Sequence, residues 1–266
     1  MNTLKTSLLI EKAVIIAGGL GRIGKRFVDT VLENGGFAII ADISEEQYQL
    51  VKKQNWLDND KVDFYFLNIT SIASILDLIK YVSDKYGKID AFVNTSFPQT
   101  NSFGGLFENL TYEYFCESLN IHLGGYFLCS QQMAIYFKKQ GQGNIINISS
   151  IQGVVLPKFD TYEGSTINGS PMTSEIDYTC NKFAIIAMTK YIAKFLKGSN
   201  IRCNCISPGG ILDNQPEEFL SRYKKYCLSK GMLDSEDLKG ALLLLLSDGS
   251  KFINGQNIIV DDGFTL

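Results

Sequence analysis

The chain has 266 residues, 45% of them apolar, with a formal net charge of −3 and one histidine. That size suits one large or two small domains and that apolar share a substantial core, and so mild a charge, with no lysine or arginine block, argues against nucleic acid or an anionic membrane as partner. A single histidine excludes a His-rich metal site and a triad using another histidine, and no uninterrupted apolar run reaches the roughly 18 residues of a membrane span.

In chain order, the apolar part of residues 1–12 is too short for a secretory leader. A strand-like run at 13–17 leads into Gly18-Gly19-Leu20-Gly21-Arg22-Ile23-Gly24 and a helical pattern over 23–33. A second strand-like run, 37–41, closes at Asp42, and Ser44-Glu45-Glu46-Gln47 has capping-box spacing for a helix over 45–54. Trp56, just beyond, is read as an anchor between helix and sheet. Strand-like 62–67, helical 72–86 with Gly87 as its stop, and strand-like 89–94 follow. One long helix is expected over 112–139, then a strand over 144–148 ending in Ser149-Ser150. The remaining pattern is helical over 175–197, strand-like over 200–206, helical over 235–247 and strand-like over 257–260.

Several of these strands are apolar at consecutive positions, as strands covered on both faces are. The alternation predicts an α/β fold: a single Rossmann-like, doubly wound domain with a seven-stranded, mostly parallel sheet and helices on both faces. Residues 151–174, rich in Gly, Pro, Ser and Thr, are too long for an ordinary connection and are read as a substrate loop. The six cysteines, at 116, 129, 180, 203, 205 and 227, show no Cys-x-x-Cys spacing. They are expected to be mostly buried thiols in a reducing cytoplasm, with Cys203 and Cys205 on opposite strand faces.

A glycine-rich turn between a strand and a helix lets backbone approach a pyrophosphate at the helix N-terminus. Asp42 lies 18 residues after Gly24, where a carboxylate can accept from ribose hydroxyls and repel a 2′-phosphate. Its other reading is a helix cap before Ser44. Arg22 could meet a 2′-phosphate, lie on the pyrophosphate or point to solvent; Asp42 is better placed to decide, which favours NAD over NADP. Tyr178 and Lys182 stand four apart on a helical stretch and so share a face. An ammonium there is expected to lower the phenol pKa from about 10 and make it a proton donor and acceptor near neutrality.

Together these residues resemble the classical short-chain dehydrogenase/reductase family from about Ala13 to the C-terminus. The glycine turn stands in place of Thr-Gly-x-x-x-Gly-x-Gly, with Ala17 for Thr and Arg22 for the middle Gly. Asn94-Thr95-Ser96 stands where Asn-Ala-Gly is usual, and Asn68-Ile69 where Asp-Val packs beside adenine. Asn120, Ser150, Tyr178 and Lys182 match the active-site Asn, Ser, Tyr and Lys, and Ser207-Pro208-Gly209-Gly210-Ile211 the segment beside the nicotinamide. The resemblance implies cofactor contacts from Gly18, Leu20, Gly21, Arg22, Ile23, Gly24, Asp42, Asn68, Ile69, Asn94, Thr95, Tyr178, Lys182, Pro208, Gly209 and Ile211. It also implies that Tyr178 exchanges the substrate proton, Lys182 lowers its pKa and holds the nicotinamide ribose, Ser150 holds the substrate oxygen, and Asn120 holds a water linking Lys182 to solvent.

One departure is the interval of 28 positions between Ser150 and Tyr178, wider than the family's usual one. Tyr162 stands at the usual interval but has Thr166 where Lys is needed. His122 is read as a helix residue packed beside the active-site element. A narrower similarity, through 158–182, Asn214-Gln215-Pro216 and the Asp261-Asp262-Gly263-Phe264 end, is to PtmA-type flagellin-modification oxidoreductases of nonulosonate (legionaminic acid) biosynthesis. It implies a sugar or sugar-phosphate substrate. The alternatives are an NADPH-dependent 3-oxoacyl thioester reductase and a nucleotide-binding protein without turnover. The family also implies a homotetramer, or a homodimer, through the helices at 112–139 and 175–197.

Overall fold

A computed structural model describes residues 8–52, 60–100, 105–167 and 169–266. Trp56 and the end of the expected helix 45–54 lie outside the described residues. The chain runs β1 (Ala13–Ala17), α1 (Arg22–Glu33), β2 (Phe37–Asp42), α2 (Glu45–Lys52), β3 (Val62–Phe66), α3 (Ile72–Tyr86) and β4 (Ala91–Asn94). It continues with α4 (Tyr112–Ile121), α5 (Leu123–Gln140), β5 (Gly143–Ile148), β6 (Thr166–Ile167), β7 (Ser170–Pro171) and α6 (Ile176–Phe195). It ends with β8 (Ile201–Pro208), α7 (Glu217–Lys224), α8 (Lys239–Leu246) and β9 (Asn257–Val260).

Seven strands form one sheet in the order β3-β2-β1-β4-β5-β8-β9, and every pairing in it is parallel. Successive side chains of β1 go to opposite faces. Val14 and Ile16 join a core with Phe27, Val28 and Val31 of α1 and Leu242 and Leu245 of α8. Ala13, Ile15 and Ala17 join the other, with Ile75 and Leu78 of α3 and Met133 and Phe137 of α5. Two covered faces explain why β1 is apolar at every position. Cys203 and Cys205 are both buried, but, standing two apart on β8, they share one face of the sheet rather than the opposite faces expected, because side chains repeat every second residue along a strand.

The chain reverses its direction of winding between β1 and β4, so the loops after these two strands diverge and leave a crevice at their carboxyl ends. α3 is bounded as its sequence suggests, with the Ser71 hydroxyl accepting from the Ser74 amide and Gly87 left-handed at φ 75°.

Four segments differ from the sequence expectation. The single helix expected over 112–139 is broken at His122 (φ −86°, ψ −70°) into α4 and α5. Gly125 then lets α5 settle on Ile69, whose side chain would collide with a Cβ there. The expected helix 235–247 begins as a 3₁₀ turn, Ser235–Leu238, held by an Asp234–Asp237 capping box. The expected capping box at Ser44 forms only in half: the Gln47 amide donates to Ser44 Oγ (3.2 Å), while Gln47 Nε2 turns to the Leu20 carbonyl (3.4 Å). Finally, α7 was not legible as a helix, since its eight residues bury only Phe219 and Tyr223.

The inserted stretch is structured. It carries 3₁₀ turns at Ile151–Gly153 and Phe159–Thr161, then the β6–β7 hairpin. Ile151, Val155, Tyr162 and Met172 pack with Phe219, Tyr223, Met232 and Phe264 in a cluster separate from the sheet's two cores. The Arg222 guanidinium also donates to the Glu163 carbonyl, fastening α7 to the insertion.

Beneath the crevice, the fully buried Tyr126 hydroxyl lies 3.0–3.2 Å from the carbonyls of Asn94, Ser96 and Ile148. Its proton ties the ends of β4 and β5 together. Tyr126→Phe should lower stability by about 1–3 kcal/mol, read as a lower urea midpoint with an unchanged slope.

Candidate active site

The crevice is a cleft of about 680 Å³, lined by the glycine turn, the end of β2, the loops after β3 and β4, and α6. Gly18 is left-handed (φ +72°), and a Cβ on it would sit 2.9 Å from the Ser96 backbone. A Cβ on Gly24 would run into the Gly18 carbonyl, so the head of α1 packs against the turn only as glycine. Thr95 braces the turn, its hydroxyl donating toward the carbonyls of Ala17 (2.7 Å) and Gly18 (3.1 Å). That contact gives Thr95 a role in this chain's Asn94-Thr95-Ser96. Asn94 is buried and accepts from the Ser96 amide (3.1 Å).

Asp42 lines the cleft while its oxygens accept from the amides of Leu20 (3.1 Å), Ile43 (2.8 Å) and Ser44 (3.4 Å). Asp42 thus lines the cleft and orders the turn before α2, but the helix cap of the other reading is Ser44, whose hydroxyl accepts from the Gln47 amide. Leu20 contributes its backbone there, and its side chain is core. Asn68 and Ile69 line the wall, with Asn68 Oδ1 accepting from the amide and hydroxyl of Thr70 (3.0 and 2.7 Å). Arg22 lies at the rim, paired with Asp213, and donates to the Leu212 carbonyl (3.3 Å). Pro208, Gly209 and Ile211 stand at the end of β8, outside the cleft lining. The Gly209 amide donates to Val260 (2.7 Å), and Ile211 bridges to Leu233.

Tyr178 and Lys182 reach the cleft from one face of α6, as their spacing requires. Lys182 is only 4% exposed. Its Nζ donates to the Ile148 carbonyl (3.2 Å), lies 3.4 Å from His122 Nε2, and sits 5.4–5.8 Å from the ring centres of Tyr178, Tyr126 and Phe97. Burial lowers the Lys182 ammonium to about 8. Ser150, buried at the end of β5, accepts from the Gln152 amide (3.2 Å).

Tyr178 does not show the lowered phenol expected from its lysine. Burial pushes it up, the Ser150 hydroxyl opposes this, and the Glu175 carboxylate adds to it. The phenol is dry, and Lys182 directs its charge at the Ile148 carbonyl and His122.

Asn120 is not brought to this group. Tyr114, Ser118 and His122, four apart in turn, are the buried face of this helical stretch, and Asn120 is exposed. Two positions along a helix turn it by about 200°, so Asn120 and His122 face opposite ways. His122 occupies the place expected of Asn120. A stripe of Tyr114, Ser118 and His122 at i, i+4 and i+8 was the available sequence signal. Also unanticipated is Gln152, whose Oε1 accepts from Ser174 (2.7 Å) and Thr179 (3.2 Å) and whose Nε2 donates to the Tyr162 hydroxyl (3.3 Å). Tyr162 thus belongs to the insertion's packing against Phe219.

The glycine cradle, the N-terminus of α1 and the Asp42 carboxylate fit a dinucleotide by shape and charge. A family model described as enoyl-(acyl carrier protein) reductase matches residues 20–265. The chain belongs to this short-chain dehydrogenase/reductase family and is an NAD(P)-dependent oxidoreductase. It is 46% identical to the post-translational flagellin modification protein A of Campylobacter coli, over 97% of this chain and 100% of that one. It is 32% identical to a 3-oxoacyl-[acyl-carrier-protein] reductase of Thermotoga maritima, over 96% and 98% of the two chains. A solved short-chain dehydrogenase from Leptospira borgpetersenii with bound NAD+ superposes with a TM-score of 0.86 at 28% identity, covering 100% of this chain and 97% of that one. Among the described residues, no helix is long and apolar enough to cross a membrane, and no cluster of potential metal ligands forms.

The lysine pKa has a consequence for stability. Between about 8 and the ordinary 10.5, the unfolded chain keeps a proton on this lysine that the folded chain has lost. Folding is therefore favoured as pH rises through that window, and below it the folded state bears the full cost of a dry charge. Lys182→Met should raise the melting temperature at pH 7, by up to about 3 kcal/mol of stability. The gap to the parent should close between about pH 8 and 10.5 in calorimetry.

Proposed function

We propose that the chain is an NAD-dependent oxidoreductase acting on a carbinol or ketone of a sugar or sugar-phosphate. The observation that carries the nucleotide choice is Asp42, a carboxylate held on the cleft wall by three backbone amides. It suits ribose hydroxyls and repels a 2′-phosphate. Arg22, the cation that could reverse this preference, is tied to Asp213.

The nicotinamide, when bound, supplies the hydride acceptor or donor. Tyr178 gives or takes the proton of the substrate oxygen, and Ser150 donates a hydrogen bond to that oxygen as charge develops. Lys182 keeps a positive charge beside Tyr178 and holds the ribose. Gly18, Gly21, Ile23 and Gly24 would hold the pyrophosphate, Asn68 and Ile69 would take the adenine side, and Asn94 and Thr95 would support the turn beneath it. Pro208, Gly209 and Ile211, at the end of β8 beyond the cleft lining, would stand on the nicotinamide side. The Campylobacter coli relative supports a role in bacterial nonulosonate or flagellin glycan synthesis. Assembly into a dimer or tetramer fits Phe127 and Ile135 of α5 and Tyr191 and Phe195 of α6, which are exposed in the single chain.

A second reading, an NADPH-dependent 3-oxoacyl thioester reductase, has the Thermotoga maritima relative in its favour. Parallel fluorescence titrations with NADH and NADPH separate the two, and NADH should bind tighter. Asp42→Ala should weaken NADH about tenfold, or roughly 1.4 kcal/mol, and improve NADPH; a parent that prefers NADPH would overturn the nucleotide choice. Tyr178→Phe should lose at least about 10²-fold in turnover with NADH affinity nearly kept, measured on a panel of keto-sugars and a 3-oxoacyl thioester. Reduction of the thioester alone would favour the second reading.

A further inference from the structure

His122 is 2% exposed, and its Nε2 lies 3.4 Å from Lys182 Nζ. Lys182 has one other hydrogen-bond partner among the described residues, the Ile148 carbonyl. An ammonium has three hydrogens and nothing to accept with. For a favourable contact, Nε2 must therefore be the lone-pair nitrogen of a neutral ring, with the ring hydrogen on Nδ1. A cationic imidazole would put two positive groups in contact in a dry site. Burial and the Lys182 charge both push His122 well below the ordinary imidazole value, in agreement with a neutral ring.

The other groups around this pair do not substitute for it. Tyr126, from α5, spends its hydroxyl on the three carbonyls beneath the crevice. Phe97, after β4, and Tyr126 present rings to the imidazole at 5.4 and 5.5 Å. Cys205, from β8, is pushed up to about 12 by burial and stays a thiol. Asp177, the nearby carboxylate of α6, is held by Ser118 and Tyr114. Tyr178 faces Lys182 from the same helix.

We propose that His122 is the proton partner of Lys182: a neutral imidazole with its hydrogen on Nδ1, whose Nε2 accepts from the Lys182 ammonium and holds it beside Tyr178. His122 is thus a positioning residue that acts through Lys182. The use of this device rests on Tyr178 being the acid–base residue; its test does not.

Because the chain has one histidine, nitrogen-15 NMR of the full-length protein labelled in histidine gives a single ring. At pH 7, Nε2 should resonate as an unprotonated acceptor and Nδ1 as protonated. That pattern should persist as pH falls through about 6.5, the ordinary imidazole midpoint. In Lys182→Met, the midpoint should climb by about one pH unit or more toward that value. A hydrogen on Nε2, a parent midpoint near the ordinary value, or a midpoint indifferent to Lys182→Met would each overturn the proposal. If that variant fails to fold, the tautomer of the parent decides alone. NADH binding and Tyr178→Phe turnover report separately on the oxidoreductase reading, so that reading can stand if His122 fails.

Discussion

Lys182 brings an ammonium into the interior where, among the described residues, no carboxylate touches it. Its charge is borne by the Ile148 carbonyl, the His122 ring and the faces of three aromatic rings. Each acceptor comes from a different element, so β5, the α4–α5 junction and α6 must meet correctly before the charge can be tolerated. Tyr126 fixes the strand ends on which Ile148 sits. The Ser149 hydroxyl, donating to the Lys182 carbonyl at 2.7 Å, fixes α6 against β5. Desolvation is the cost of this arrangement, and its return is a charge undiluted by water next to a phenol.

At the other end of the cleft, backbone geometry prevails. The glycine turn works through what it lacks: side chains at Gly18 and Gly24 would strike Ser96 and the Gly18 carbonyl. Thr95 and Asp42 then hold the turn from its two sides, through Ala17 and Gly18 and through Leu20. The replacement of the family's middle glycine by Arg22 is accommodated because that position begins α1 and its side chain leaves toward Asp213.

The sheet was legible because its strands are short, apolar and bounded by turn residues, and because burial on both faces leaves an unmistakable pattern. Tyr178 and Lys182 were legible because helical spacing alone puts them on one face. Asn120 misled because motif order fixes a residue only to within a turn, and a shift of two positions reverses its direction. The buried stripe of Tyr114, Ser118 and His122 carries that directional information. The break at His122 accompanies the close seat of Gly125 on Ile69, a tertiary contact no local pattern encodes. α7 escaped notice because a short helix with two buried residues owes its stability to tertiary packing rather than to its own periodicity. The phenol pKa was misjudged because burial of both partners, which spacing does not reveal, outweighs their proximity.

The insertion and α7 draw their packing from a cluster that excludes the sheet's two cores. Segments far apart in sequence therefore form a small cooperative unit with its own opening free energy, which can be well below that of global unfolding. Amide exchange in this lobe and in the sheet reports on different equilibria. Substitutions in that cluster act on the insertion and α7 and leave the two cores that hold β1, β4 and β5 untouched. A lineage could thus alter what enters the site without renegotiating the stability of the fold that holds the nucleotide.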